Sequence, residues 1–254
     1  MKSFVHSEDA ITMLFRLAES WFDQTLSDGG PRYAEYHPEY IIVEPWNAFS
    51  SVFMMIPAII FFLKLRKDLA SMPFMGFSVL MIFLGGLGST LFHAFRMSEF
   101  FLMLDIIPSA ILTIALAVYF WLKVLPKWWH VLLIFIPVFG LRFLLFRNLP
   151  LHIGINLSYA FSGLLIIVPL LIVLYKTNMQ QWLSVVLALL SFGLALLFRQ
   201  LDAHQWVFLP QGTHFLWHLF SAIGSWFILS YLLFIQASYE KIKLQEKAIS
   251  QKEI

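Results

Sequence analysis

Four short stretches hold most of the side chains with which this chain could do chemistry: Ser89 with His93, Asp105, Asp202, and His214 with His218. His214 and His218 are four residues apart, so on a helix they share one face about one turn apart. Two imidazoles in that register can grip one metal ion, as they do in helical zinc motifs. Ser89 and His93 have the same spacing. With His93 as a third imidazole, a tetrahedral ion keeps its fourth position for water, the pattern of a catalytic zinc site. The chain has no Cys, so thiolate ligation and a thiol nucleophile are excluded and an all-histidine site with nearby Asp is the zinc site it could build. Asp202 fits three roles: orienting a ligand imidazole from behind, holding a substrate head group, or pairing with Arg199. An HxxxH pair alone is a weak signal, because a histidine in an apolar helix commonly bonds a carbonyl. What strengthens it is where the other polar residues fall.

The elements that must position these residues are membrane helices. Of 254 residues 60% are hydrophobic and 13% charged, with 27 Phe. A soluble domain needs about twice that share of charge, so a soluble enzyme is excluded, as are a disordered chain and a disulfide scaffold. A net charge of +2 is too small for a polyanion partner. Seven apolar stretches are long enough to span a bilayer, at about 48–64, 74–95, 100–122, 128–146, 152–175, 180–199 and 214–236. The expected fold is all-α: a polytopic seven-transmembrane helix bundle behind an N-terminal segment, 1–47, with a basic tail at 237–254. Lys64, Arg66, Lys67, Lys123, Lys127, Lys176 and the tail lysines favour one side. The positive-inside rule then puts the N-terminus outside or in a lumen and the C-terminus in the cytoplasm.

With that topology Ser89, His93, Asp105, Asp202, His214 and His218 fall in one layer near the outer leaflet. Ionisable groups within spans are costly and mark functional sites. A proton-relay transporter would instead spread them along a path through the membrane. Gly85, Gly86 and Gly88 allow close approach of a neighbouring helix, and Pro108 could kink the third span and turn Asp105 inward. In the N-terminal segment Ile11, Leu14, Phe15, Ala18 and Phe22 recur at helical spacing behind Ser7, which predicts an amphipathic helix on the membrane surface or over the bundle. Phe92, Phe95, Trp206, Phe215 and Trp217 are candidates to line a pocket.

At these residues the chain resembles the alkaline ceramidase family, within the larger group of seven-helix hydrolases that includes adiponectin-receptor and haemolysin III proteins. The motifs are Gly88-Ser89-x-x-Phe92-His93, Asp105 with Pro108, Asp202, His214-x-x-Trp217-His218, and Glu44-x-Trp46-Asn47 with Ser50; together they cover residues 44 to 236. The Glu44 piece and an outside N-terminus favour the ceramidase branch. The resemblance implies Zn2+ on His93, His214 and His218, Ser89 and Asp105 as catalytic residues, and hydrolysis of the N-acyl amide of ceramide-like membrane lipids. Some members also hold Ca2+ near the N-terminal side, where Glu44 matches one ligand; the acidic run that should precede it is replaced by Gly30-Pro31-Arg32-Tyr33-Ala34-Glu35. The alternative is a receptor-like or other lipid-hydrolase member of the same group.

Overall fold

The computed structural model describes residues 26–149, 151–202 and 209–250. The expected amphipathic helix lies outside them, as does Trp206. Seven helices run in chain order: α1 Pro45–Leu65, α2 Pro73–Phe95, α3 Glu99–Val124, α4 His130–Asn148, α5 Leu151–Lys176, α6 Trp182–Asp202 and α7 His214–Ser250. No strand occurs among the described residues.

Proline opens both α1 and α2, where its missing N–H costs nothing and its fixed φ suits the first helical turn. Six helices are long and apolar enough to cross a membrane. The fourth helix, His130–Asn148, is apolar as well, and its described stretch runs His130–Leu145. Arg142 interrupts it, and its guanidinium bonds Ser158 and Ser162 of α5. The outer faces carry large apolar side chains that no other helix covers, such as Leu63 (57% exposed), Ile136 (66%) and Phe143 (66%). A water-soluble surface does not carry so many contiguous apolar groups, so the chain is read as an integral membrane protein.

α1 packs against α2 and α7, α2 against α3, α3 against α5, and α6 against α7; α4 lies outermost against α5. One apolar cluster joins α3, α5, α6 and α7 around Phe120 and Tyr231. A second joins α1, α2 and α7 around Met75, Leu229 and Leu232. Met75 and His93 both lie on α2, eighteen residues apart, so about 27 Å of helix separates this apolar end from the histidine end.

Glycines set the contacts at the histidine end. A side chain at Gly88 would run into the backbone of Leu104 and Asp105, and one at Gly86 would meet Met55 of α1. The Leu104 carbonyl is also the one that Pro108, with no N–H, cannot bond. The run Gly85–Gly88 thus draws α3 and α1 onto α2 within one turn of Ser89. α7 continues as helix to Ser250, past the expected end of its span.

Candidate metal centre

The last turn of α2 and the first two turns of α7 bring His93, His214 and His218 together. All three are buried, with one ring nitrogen of each within 4.8 Å of the others. Ideal tetrahedral coordination at about 2.1 Å would set such nitrogens about 3.4 Å apart, a difference that small ring rotations close. The ring centroids are 4.7 to 5.1 Å apart.

The hydrogen bonds behind the rings fix which nitrogen faces inward. His93 Nδ1 lies 2.5 Å from Glu44 Oε2. A carboxylate accepts only, so Nδ1 carries the proton and Nε2 keeps its lone pair. That Nε2 is buried and has no hydrogen-bond partner. His218 Nδ1 lies 2.8 Å from Ser50 Oγ, which in turn lies 3.0 Å from the Asn47 carbonyl. The consistent assignment has His218 Nδ1–H donating to Ser50 and Ser50 donating to Asn47, leaving Nε2 to the centre. His214 Nδ1 is also buried without a partner, and the Tyr33 ring stacks on it with centroids 3.9 Å apart. Buried imidazole nitrogens without a partner, here His93 Nε2 and His214 Nδ1, are costly unless something binds them, and the donor set fits a divalent ion of the first transition row. These residues can hold a metal.

Ser89 and Asp105 stand beside the triad. The Ser51 hydroxyl, also 3.2 Å from His218 Nδ1, lies 3.0 Å from Ser89 Oγ, and the backbone of Leu104 and Asp105 packs against Gly88, the residue before Ser89. The serines of α1 and α2 therefore form one polar strip along the edge of the histidine cluster, and α3 packs against α2 beside it.

Asp202 reaches His214 through the backbone and not through the ring. Its Oδ1 accepts from the N–H groups of Thr213 (2.7 Å) and His214 (2.9 Å), and Oδ2 from Ala34 N–H (3.2 Å). It is a carboxylate cap on the N-terminus of α7, where backbone donors and helix dipole favour negative charge. Gly212, at φ +70°, lies so close to Asp202 and Ala34 that a side chain there would meet both. Arg199 does not pair with Asp202.

Glu44 is buried under His93. Its Oε1 accepts from Arg96 Nη1 at 2.6 Å and its Oε2 from His93, with Asn47 Nδ2 at 3.3 Å. Burial pushes its carboxyl up to about 7 against the pull of Arg96 and Asn47; positive charge at the triad would act in the same direction as Arg96. The neighbours of Glu44, the residue expected as a possible calcium ligand, are Arg96, His93 and Asn47. Glu35 accepts from the N–H groups of Trp46 and Asn47, with burial raising its pKa against those bonds. Glu39 sits exposed beside His37. Among the described residues only the three histidines form a metal-ligating cluster.

Sequence reasoning did not find Arg96, Asp28 or Tyr33. Arg96 ends α2 in the left-handed region, at φ 48°, where glycine is usual and a β-carbon costs roughly 1–2 kcal/mol. Its side chain offsets that cost: Nε and Nη2 bond the Asp28 carboxylate at 2.6 and 3.0 Å, and Nη1 and Nη2 bond the Pro31 carbonyl at 3.0 Å. An arginine where a helix should end in glycine, three residues past a ligand histidine, was the available signal. Of the expected pocket aromatics, Phe92 is buried beneath Arg96 (4.4 Å), Phe215 meets Trp46, and Trp217 faces Arg199. Phe95 is 41% exposed. No protein-family model matches the chain, and no curated protein matches it.

Proposed function

We propose that this protein is a zinc-dependent intramembrane amidohydrolase that cleaves the N-acyl amide of ceramide-like lipids to a sphingoid base and a fatty acid. One observation carries the reading: three buried imidazoles from two helices, with ligand atoms within 4.8 Å, beside a serine and an aspartate. The motif resemblance to alkaline ceramidases supplies the substrate class. The reading includes seven spans, with α4 completing the bundle, and an N-terminus on the outer or luminal face.

A zinc ion on His93, His214 and His218 would supply Lewis acidity, lowering the pKa of water to about 7 and polarising a carbonyl oxygen. The rest falls to the chain. Asp105 accepts the proton of the attacking water and returns it to the leaving amine nitrogen. Ser89, held by Ser51, turns its hydroxyl toward the carbonyl oxygen and donates to the charge that develops there. Glu44 and Ser50 keep the protons of His93 and His218 on Nδ1. The apolar walls exclude water and admit acyl chains from the bilayer.

The test is metal analysis of detergent-purified protein alongside release of fatty acid from ceramide. We expect about one zinc per chain, and loss of both zinc and turnover in His218→Ala. A metal-free parent protein that still folds, or a zinc-loaded one that hydrolyses no N-acyl lipid, overturns the proposal.

A further inference from the structure

Arg199, near the end of α6, is a charge that the amidase chemistry leaves unused. It lies in the last turn of a membrane-spanning helix, where an ionised side chain is expensive and normally paired. Among the described residues no carboxylate comes within ion-pair distance of it. Asp202, one turn on, is committed to the amides of Ala34, Thr213 and His214. What Arg199 has instead is two aromatic faces: its guanidinium carbon lies 4.9 Å from the Tyr159 ring of α5 and 5.8 Å from the Trp217 ring of α7. Ring faces hold a guanidinium without using its N–H donors. The held group stands at the histidine end of the bundle: Trp217 is the residue before His218 on α7, and Asp202, one turn on from Arg199, bonds the His214 N–H.

Two roles suit such a group. It could balance the charge of Asp105 at a distance, or it could bind an anion that arrives with the substrate. The first role gains most from a direct ion pair, which the structure does not make. The second requires open donors beside the reacting centre at head-group level, and Arg199 is one turn from the helix end that Asp202 ties to His214.

We propose that Arg199 forms a head-group subsite for a carboxylate, so that the N-acyl lipids accepted beside ceramide-like ones include N-acyl amino acids, in which the carboxylate stands one carbon from the amide nitrogen and which are preferred over neutral amides of the same size. A planar guanidinium matches a carboxylate through two parallel N–H···O bonds. The inference rests on the amidase reading for its substrate but not for its binding test. Tyr159 and Trp217 orient the guanidinium; Asp105 opposes a bound anion and limits the subsite to a group reached from the Arg199 side.

The experiment uses zinc-loaded, detergent-purified protein and two matched pairs of probes. N-palmitoylglycine and N-palmitoylethanolamine report turnover. Their uncleavable counterparts, N-hexadecanesulfonylglycine and N-hexadecanesulfonylethanolamine, report binding by calorimetric titration. The acid should be preferred about tenfold or more in KM and in Kd, the scale of a charge-assisted pair. Arg199→Gln should bring the ratio to about one, with the neutral probe changed by less than about twofold, and Arg199→Lys should recover part of it. Comparing the ratio between variants cancels unequal partition into micelles. A parental ratio near one overturns the subsite whether or not the variants fold, and so does a ratio that Arg199→Gln leaves intact. Cleavage of both amides without discrimination removes the subsite and keeps the amidase; selective binding of the acid sulfonamide with neither amide cleaved does the reverse.

Discussion

Glu44→Gln tests whether the carboxylate under His93 sets that ligand's proton. Three donors surround the Glu44 carboxylate: Arg96 Nη1 at 2.6 Å from Oε1, and His93 Nδ1 at 2.5 Å and Asn47 Nδ2 at 3.3 Å from Oε2. A carboxylate accepts from all of them. An amide of the same shape has one acceptor and one donor, so its NH2 must face either Arg96 or His93. The guanidinium cannot give up a proton, but the imidazole can change tautomer. The NH2 therefore turns to His93, Nδ1 becomes an acceptor, and the proton moves to Nε2, the atom that should bind the ion. Losing an orienting partner of this kind costs about tenfold to a hundredfold in metal affinity, or about 1.4–2.7 kcal/mol. Arg96 keeps its two bonds to Asp28, so the fold should survive. Competition with a chromophoric chelator measures zinc affinity, and far-UV circular dichroism with gel filtration reports the fold. A folded Glu44→Gln protein that holds zinc as tightly as the parent refutes the tautomer argument.

Three further substitutions probe other parts of the centre. Asp105→Asn should keep zinc and lower kcat on ceramide by about a hundredfold or more, the scale of general acid–base catalysis; parental turnover would remove Asp105 from its role. Gly88→Ala inserts a methyl group against the backbone of Leu104, so α2 and α3 must separate; thermal unfolding should show a loss of about 1–3 kcal/mol, with a drop in kcat larger than that in zinc affinity. Asp202→Ala strips the N-terminus of α7 and the N–H of Ala34 of their acceptor. A loss of about 2 kcal/mol or a little less is expected from the cap alone, and thermal melting that matches the parent would show that water replaces the carboxylate.

The helices were legible because hydrophobic run length is a direct consequence of bilayer thickness. Their ends were legible because Lys, Arg and Pro cluster where apolar runs stop. The triad was legible for a related reason: His93, His214 and His218 are polar groups in apolar segments, and alternating span direction puts them at one end of the bundle. α4 shows the limit of run length. Residues 128–146 scan as apolar and fall in and around α4, yet Arg142 within them spends its donors on two serines of α5. A composition window cannot tell a lipid-facing arginine from one that a neighbouring helix satisfies.

The segment from Leu26 to Glu44 was opaque for a different reason: its order comes from partners distant in sequence. It has no helical or strand period, yet it is bonded at many points. Asp28 and the Pro31 carbonyl hold Arg96, and Ala34 N–H bonds Asp202. Glu35 takes the first amides of α1, and the N–H groups of Val43 and Glu44 bond the carbonyls of Ala94 and His93. Tyr33 lies between these anchors, stacked on His214 and tilted 5.1 Å over His93. The anchors are the same groups that support the ligands: Arg96 reaches His93 through Glu44, and Asp202 fixes the helix start that carries His214. Lifting Tyr33 off the histidines therefore means breaking bonds that hold those histidines in place. The roof and the ligand set form one cooperative unit, and the energy that orders an irregular loop is the same energy that pre-orients three imidazoles for an ion.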